Sequence, residues 1–193
     1  MELTQLLSGS LLNNLIKLIS KKLNIPEKQV GSVITTSIPL LLKALAKNTK
    51  DPKQAEDLTN VISHDHDGSI LGNLTSLFSG ETQTDGNKIL KHILGNDLTK
   101  TTKTIAQKTN TKSTDVQNIL VTLAPLLMGT LGKVQKEKKL NTHQTKELIE
   151  RSARETEKEF NTGKILTDVL DKNRNGNLID DLIGIVGKFL KKK

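Results

Sequence analysis

Apolar residues return every three or four positions from the start of the chain. Leu3, Leu6, Leu7, Leu11, Leu15, Leu18 and Ile19 form one such stripe, the pattern of an amphipathic helix, with Gly9 and Ser10 as a place for it to break. Asn24-Ile25-Pro26-Glu27 reads as a turn and a restart. Proline fits the first helical position, where its missing N–H costs nothing, and Glu27 favours the positive helix end. Val30, Val33, Ile34, Ile38, Leu41, Leu42 and Leu45 give a second stripe. Pro39 lies inside it and is expected to kink or split the helix, because it removes a backbone donor and crowds the preceding turn. Asp51-Pro52 opens a third helix carrying Ala55, Leu58, Val61 and Ile62. Residues 63–69 read as a loop, Ile70 to Phe78 as a short helix, and the polar, glycine-containing stretch 79–87 as a linker.

Beyond it, Ile89, Leu90, Ile93 and Leu94 make a short apolar turn. Thr111 is the expected N-cap of a helix with Val116, Ile119, Leu120, Leu123, Leu127, Met128 and Leu131 on its apolar stripe and Pro125 within it. Residues 133–159 are dense in charge of both signs, with Glu147/Arg151 and Glu150/Arg154 at i,i+4 spacing and a thin apolar stripe. That stretch predicts a solvated helix projecting from the body. A polar loop, Asp171 to Asn177, and a last apolar helix, Leu178 to Leu190, close the chain before Lys191, Lys192 and Lys193.

Two of these stretches are copies of one another. Residues 19–48 and 105–134 align without gaps at an offset of 86 and share 10 of 30 residues, among them Val30/Val116, Pro39/Pro125, Leu40/Leu126, Leu41/Leu127 and Leu45/Leu131. The expected fold is therefore all-α and multihelical, internally duplicated, with two related helical subdomains around Pro-kinked core helices. Residues 1–80 form the first repeat and residues 86–193 the second, with a charged helical insert at about 135–160; the two can pack as one unit.

Composition supports helices: three Phe, no Tyr and no Trp leave Leu, Ile and Val to build the core. With no cysteine, disulfides, zinc thiolates and thiol catalysis are excluded. The formal net charge of +8 suits an anionic partner or plain solubility, and the basic residues read as scattered, most of them close to acidic ones. No apolar run approaches the length of a membrane span and no leader pattern opens the chain, so a cytoplasmic protein is expected.

The candidate chemistry lies in two similar loops. Ser63-x-Asp65-x-Asp67-Gly68-Ser69-Ile70 matches Asp171-x-Asn173-x-Asn175-Gly176-Asn177-Leu178. Alternating oxygen ligands followed by Gly open a calcium loop of the EF-hand kind. The second loop lacks the closing Glu, since Leu182 stands there, although Asp180 or Asp181 closes a shorter one; the first lacks both an opening and a closing acid. The metal candidates are thus Asp171, Asn173, Asn175, Asp180 and Asp181, and secondarily Asp65 and Asp67. The plainer alternative is an Asx-Gly turn with Ser69 or Asn177 capping the next helix. His64-Asp65-His66-Asp67 is a further candidate for a transition metal. Residues 183–193 suit either an anionic membrane surface or a last core helix with Lys at its C-terminus.

No nucleotide-binding loop or nucleophile elbow occurs, and the His-Asp metal phosphohydrolase pattern needs a histidine before position 64, where there is none. No enzyme is expected. The Pro-Leu-Leu helix, Asp65-His-Asp-Gly-Ser-Ile-Leu-Gly-x-Leu74, Ala124-Pro-Leu-Leu-Met-Gly129 and Asn175-Gly-Asn-Leu-Ile-Asp-Asp-Leu182 together resemble a bacterial helical family of unknown function related to the YidB-like proteins, over roughly residues 5–134 and 162–190. The resemblance implies an all-α bacterial protein with no catalytic residues to carry over. Members often have Asp-Asp after the first loop, where this chain has Gly72-Asn73. The expected function is a non-enzymatic protein-interaction or scaffolding domain with an unknown protein partner and no cofactor. The alternatives are a weak calcium-binding module through Asp171 to Asp181 and a nucleic-acid binder using its basic surface.

Overall fold

The computed structural model describes residues 9–160. The loop at 171–177, the candidate ligands Asp171, Asn173, Asn175, Asp180 and Asp181, and the cationic tail lie outside the described residues. Within them the chain is all-α: α1 (Gly9–Leu23), α2 (Glu27–Asn48), α3 (Pro52–Asp65), two 3₁₀ turns (Ser69–Gly72 and Leu74–Phe78), α4 (Gly80–Leu94), a third 3₁₀ turn (Gly95–Asp97), α5 (Leu98–Thr109), α6 (Ser113–Lys138) and α7 (Thr142–Glu159).

The two leucine-rich helices are the centre. From Ile119 to Gly132 every residue of α6 is buried, as in a helix packed on all sides. α2 buries Val30, Val33, Ile34 and nearly every residue from Thr36 to Leu45. α4 packs against α6, α7 lies along α2, α3 bridges α6 and α7, and α5 wedges between α2 and α6. Side chains from all seven helices join one continuous core cluster. Each fully buried Leu contributes about 2 kcal/mol of apolar transfer, which helices can collect without aromatic rings.

α1 turns into α2 much as α5 turns into α6. Asn24 (φ 54°) and Asn110 (φ 49°), at matching positions of the two stretches, both adopt the left-handed conformation that ends a helix. Ile25 N–H donates to the Ser20 carbonyl (3.2 Å) and Thr111 N–H to the Ala106 carbonyl (3.0 Å). Val30 N–H donates to the Pro26 carbonyl (3.1 Å) and Val116 N–H to the Lys112 carbonyl (3.0 Å). The turns meet: Gln29 Nε2 donates to the Asn110 carbonyl at 3.1 Å.

Several expectations change. Pro26 is the N-cap of α2 rather than its first residue. Thr111 is buried and its hydroxyl donates back to the Thr109 carbonyl, so Lys112 takes the cap position of α6. Of the two outcomes expected at Pro39 and Pro125, a split does not occur: both helices run through their proline without interruption. Residues 79–87 are not a linker but the cap and first half of α4, with Thr82 N–H donating to Ser79 Oγ at 3.2 Å. Residues 133–159 do not project either. α6 runs to Lys138, and α7, opened by the reciprocal Asn141–Gln144 capping box, buries Thr145, Leu148, Ile149, Ser152, Ala153 and Thr156. A thin apolar stripe suffices there because small residues let two helices approach closely. Lys43 Nζ meets Glu157 at 2.7 Å across that contact. Finally, α2 is long and apolar enough, by length and composition, to cross a membrane, although most of it is buried in this fold.

Candidate functional site

The Asp-Gly-Ser-Ile stretch identified in the sequence lies on the surface of α6. Asp51 caps α3, its Oδ1 accepting from Gln54 N–H at 2.9 Å, and the helix continues through Ser63, His64 and Asp65, all expected in a loop. Only residues 66–68 connect it to the first 3₁₀ turn. Ile70 to Phe78, expected as one helix, divides at Gly72-Asn73, where Asn73 Oδ1 accepts from Thr75 N–H and starts the second 3₁₀ turn.

Glycines set how closely these pieces approach α6. Gly68 has φ 91°, which only glycine adopts freely, and a Cβ there would stand 2.6 Å from Lys133 Cβ. Gly129 and Gly132, three residues apart on one face of α6, receive the loop. A Cβ on Gly129 would lie 2.6 Å from Ile70 Cγ2, and one on Gly132 would overlap the His66 carbonyl and lie 2.9 Å from the Ile62 oxygen. Gly86 does the same for α4, because its Cβ would collide with the Val121 carbonyl oxygen. Pro125 has no N–H to give Val121, so that oxygen lacks its helical donor and faces Gly86 instead. Gln83 Nε2 completes the junction, donating to Thr122 Oγ1 at 3.2 Å and to the Leu77 carbonyl.

Between the loop and α4 lies a polar cleft of about 750 Å³, lined by residues including Asp65, Asp67, Glu81, Asp85, His66 and Lys88. Asp67 is engaged: Oδ1 accepts from Ser69 N–H at 3.0 Å and Oδ2 from Lys136 Nζ at 3.3 Å. The Ser69 backbone N–H first, then its hydroxyl and Lys136, hold the Asp67 carboxyl down at about 2. Asp67 thus makes the Asx-Gly turn of the plainer alternative, while Gly68, not Ser69, takes the cap position of the 3₁₀ turn that follows. Asp65 is exposed at the end of α3. His66 Nε2 is 4.0 Å from Asp85 Oδ2, whereas His64 Nδ1 turns to the Asn60 carbonyl (2.9 Å) and Ser63 Oγ (3.0 Å). Two residues apart in sequence, the two histidines face different partners. Among the described residues no group of three or more His, Asp or Glu side chains comes together to hold a metal ion. The glycine contacts were missed in the sequence, where Gly86, Gly129 and Gly132 carried no periodic signal. Pro125, four residues after Val121, was the available clue.

No curated protein and no solved structure matches this chain. Residues 5–134 match the family described as bacterial protein of unknown function, DUF937, whose match ends inside α6 and leaves α7 beyond it. The chain belongs to that family of bacterial proteins of unknown function.

Proposed function

We propose that this protein is a non-enzymatic interaction or scaffolding domain of the bacterial cytoplasm. The observation that supports this best is how its motif residues are used. Asp67, Gly68, Ile70, Gly129 and Gly132 seat the α3–α4 connection on α6, and Asp67 is tied to Ser69 and Lys136. These groups hold a rigid body in shape, and what remains for partners is its charged exterior. In the same reading, α1–α2 and α5–α6 descend from one duplicated unit with proline-bent core helices. The matching left-handed Asn24 and Asn110 and the paired turn hydrogen bonds support that. Kinship with the YidB-like proteins belongs to the proposal too and rests on the sequence motifs.

The test is the mass of the protein purified natively from its bacterial host, by size exclusion with light scattering. An assembly of defined mass above the monomer, dissociated by salt, is the expected result. A monomer at every salt concentration and protein concentration refutes the reading. Treating the assembly with nuclease or with protease tells which kind of partner it holds.

A further inference from the structure

The charge of this chain is not evenly scattered, and the structure gathers one part of it. Residues 9–50, which hold α1 and α2, carry seven lysines and a single acid, Glu27. Residues 98–136, which hold α5 and nearly all of α6, carry six lysines and a single acid, Asp115. The connection between them, residues 51–97, reverses the balance with eight acids and three lysines. Read along the chain the signs alternate and seem mixed; folded, the two basic segments come together. The Gln29–Asn110 hydrogen bond joins the α1–α2 turn to the α5–α6 turn at one end of the body. Lys21 and Lys22 end α1, Lys28 lies in the first turn of α2 and Lys112 caps α6; all four are exposed. Lys17 and Lys103, also exposed, continue the charge along α1 and α5 at the same offset of 86, just before the two stretches begin. Among the described residues, the acids in the first turns of these two helices are Glu27 and Asp115.

The acidic cleft does not neutralise it. Gly129, beside the cleft loop, is 16 residues beyond the start of α6, about 24 Å along the axis, well over the screening length of about 8 Å at physiological salt. We infer that the paired α1–α2 and α5–α6 turns form a docking surface for the phosphate backbone of double-stranded nucleic acid. The inference rests on the non-enzymatic reading above and names a partner for it. Two features choose the partner. The described cations at this end are lysines, which meet phosphates as point charges, while the described arginines that could fork onto base edges, Arg151 and Arg154, are on α7. The chain has three Phe and no other aromatic residue, so it has little on which to stack unpaired bases. Contact is therefore with the duplex backbone and without regard to sequence.

The experiment uses the full chain and a fluorescently labelled duplex of arbitrary sequence, with affinity followed by anisotropy from 50 to 200 mM salt. With five phosphates engaged, affinity should fall roughly 500-fold over that range. A Lys21→Gln, Lys22→Gln, Lys28→Gln, Lys103→Gln, Lys112→Gln variant should lose most of that dependence. A control with the same net charge, carrying Lys→Gln at 47, 50, 53, 88 and 91, should keep it. All ten side chains are exposed, so both variants should melt like the parent. A parent that does not bind duplex at 50 mM salt overturns the inference, as does equal loss in the two variants. Failure here alongside a protease-sensitive native assembly removes this partner and leaves the interaction-domain reading standing; failure alongside a monomer removes both.

Discussion

Replacing Gly86 with alanine separates two readings of the same residue by the sign of the effect. As part of a polar linker, Gly86→Ala would be neutral or slightly stabilising, since alanine restricts the unfolded chain. Inside α4 its helix propensity alone favours alanine by about 1 kcal/mol. The contact with α6 acts the other way. The new methyl would overlap the Val121 carbonyl oxygen and come within 3.0 Å of its carbon and 3.1 Å of Val121 Cγ1. Two of those three atoms are backbone, in a helix buried on all sides, so α6 cannot yield by turning a rotamer. Instead α4 must retreat, loosening Ile89, Leu90 and Ile93, which are nearly fully buried. Overpacking of this kind costs about 1–3 kcal/mol, and part of the burial of three large side chains adds to it. The net expectation is a loss of about 1–3 kcal/mol after the propensity gain. That corresponds to a melting temperature about 3–10 °C lower for a chain of this size. Gly80→Ala is the control: it lies in the same helix, and nothing stands within 4 Å of its Cβ position. It should melt at or slightly above the parent. A Gly86→Ala protein that melts with or above Gly80→Ala would show that α4 does not approach α6 as closely as described.

Gly132→Ala should also destabilise, by pushing the His66 end of α3 away from α6, and hydrogen exchange should quicken in residues 62–70 more than in α7. Thr145 Oγ1 and Ser152 Oγ are buried without hydrogen-bond partners, so Thr145→Val and Ser152→Ala should each raise stability by about 1 kcal/mol in urea unfolding; a loss of that size would mean the hydroxyls are bonded. Asp67 has its carboxyl lowered from 3.8 to about 2, so the stability it lends is present above pH 3.8 and is lost as the pH falls toward 2. Asp67→Asn should therefore flatten melting temperature against pH in that window, and an unchanged profile would count against the Ser69 and Lys136 contacts. The calcium alternative for Asp171 to Asp181 is decided by melting in chelator and in millimolar calcium: a rise that Asp171→Ala abolishes supports it, and no rise removes it.

The stripes that define α2 and α6 were legible because every third or fourth residue there is a Leu, Ile or Val, and the core they predict is the core observed. Segments whose form depends on a neighbour were not legible. Ser79 to Asn87 looks like a linker because its glycine and polar residues are helix-poor locally; it becomes helical because Ser79 caps it and Gly86 fits against Val121. α7 looks solvent-bound because its apolar stripe is thin, yet it packs along α2 and buries the small residues Thr145, Ser152 and Ala153. At the cleft, the Asx turn of Asp67 could be read from Asp-Gly alone. Its tie to Lys136, 69 residues away, could not. Nor could the meeting of the two lysine-bearing turns, because the Gln29–Asn110 bond that joins them spans 81 residues.

The place of α2 in the chain has a consequence for synthesis. The most membrane-like helix among the described residues leaves the ribosome well before α7, which lies along it and begins 94 residues after it ends. At about 5–20 residues per second, α2 waits roughly 5–20 s for that cover. Through that interval a nascent chain displays a 22-residue apolar helix to every targeting factor and chaperone at the exit tunnel. Survival to the folded state then depends on a race between translation and capture, and slowing the ribosome between residues 48 and 142 should lengthen the interval in which capture can win.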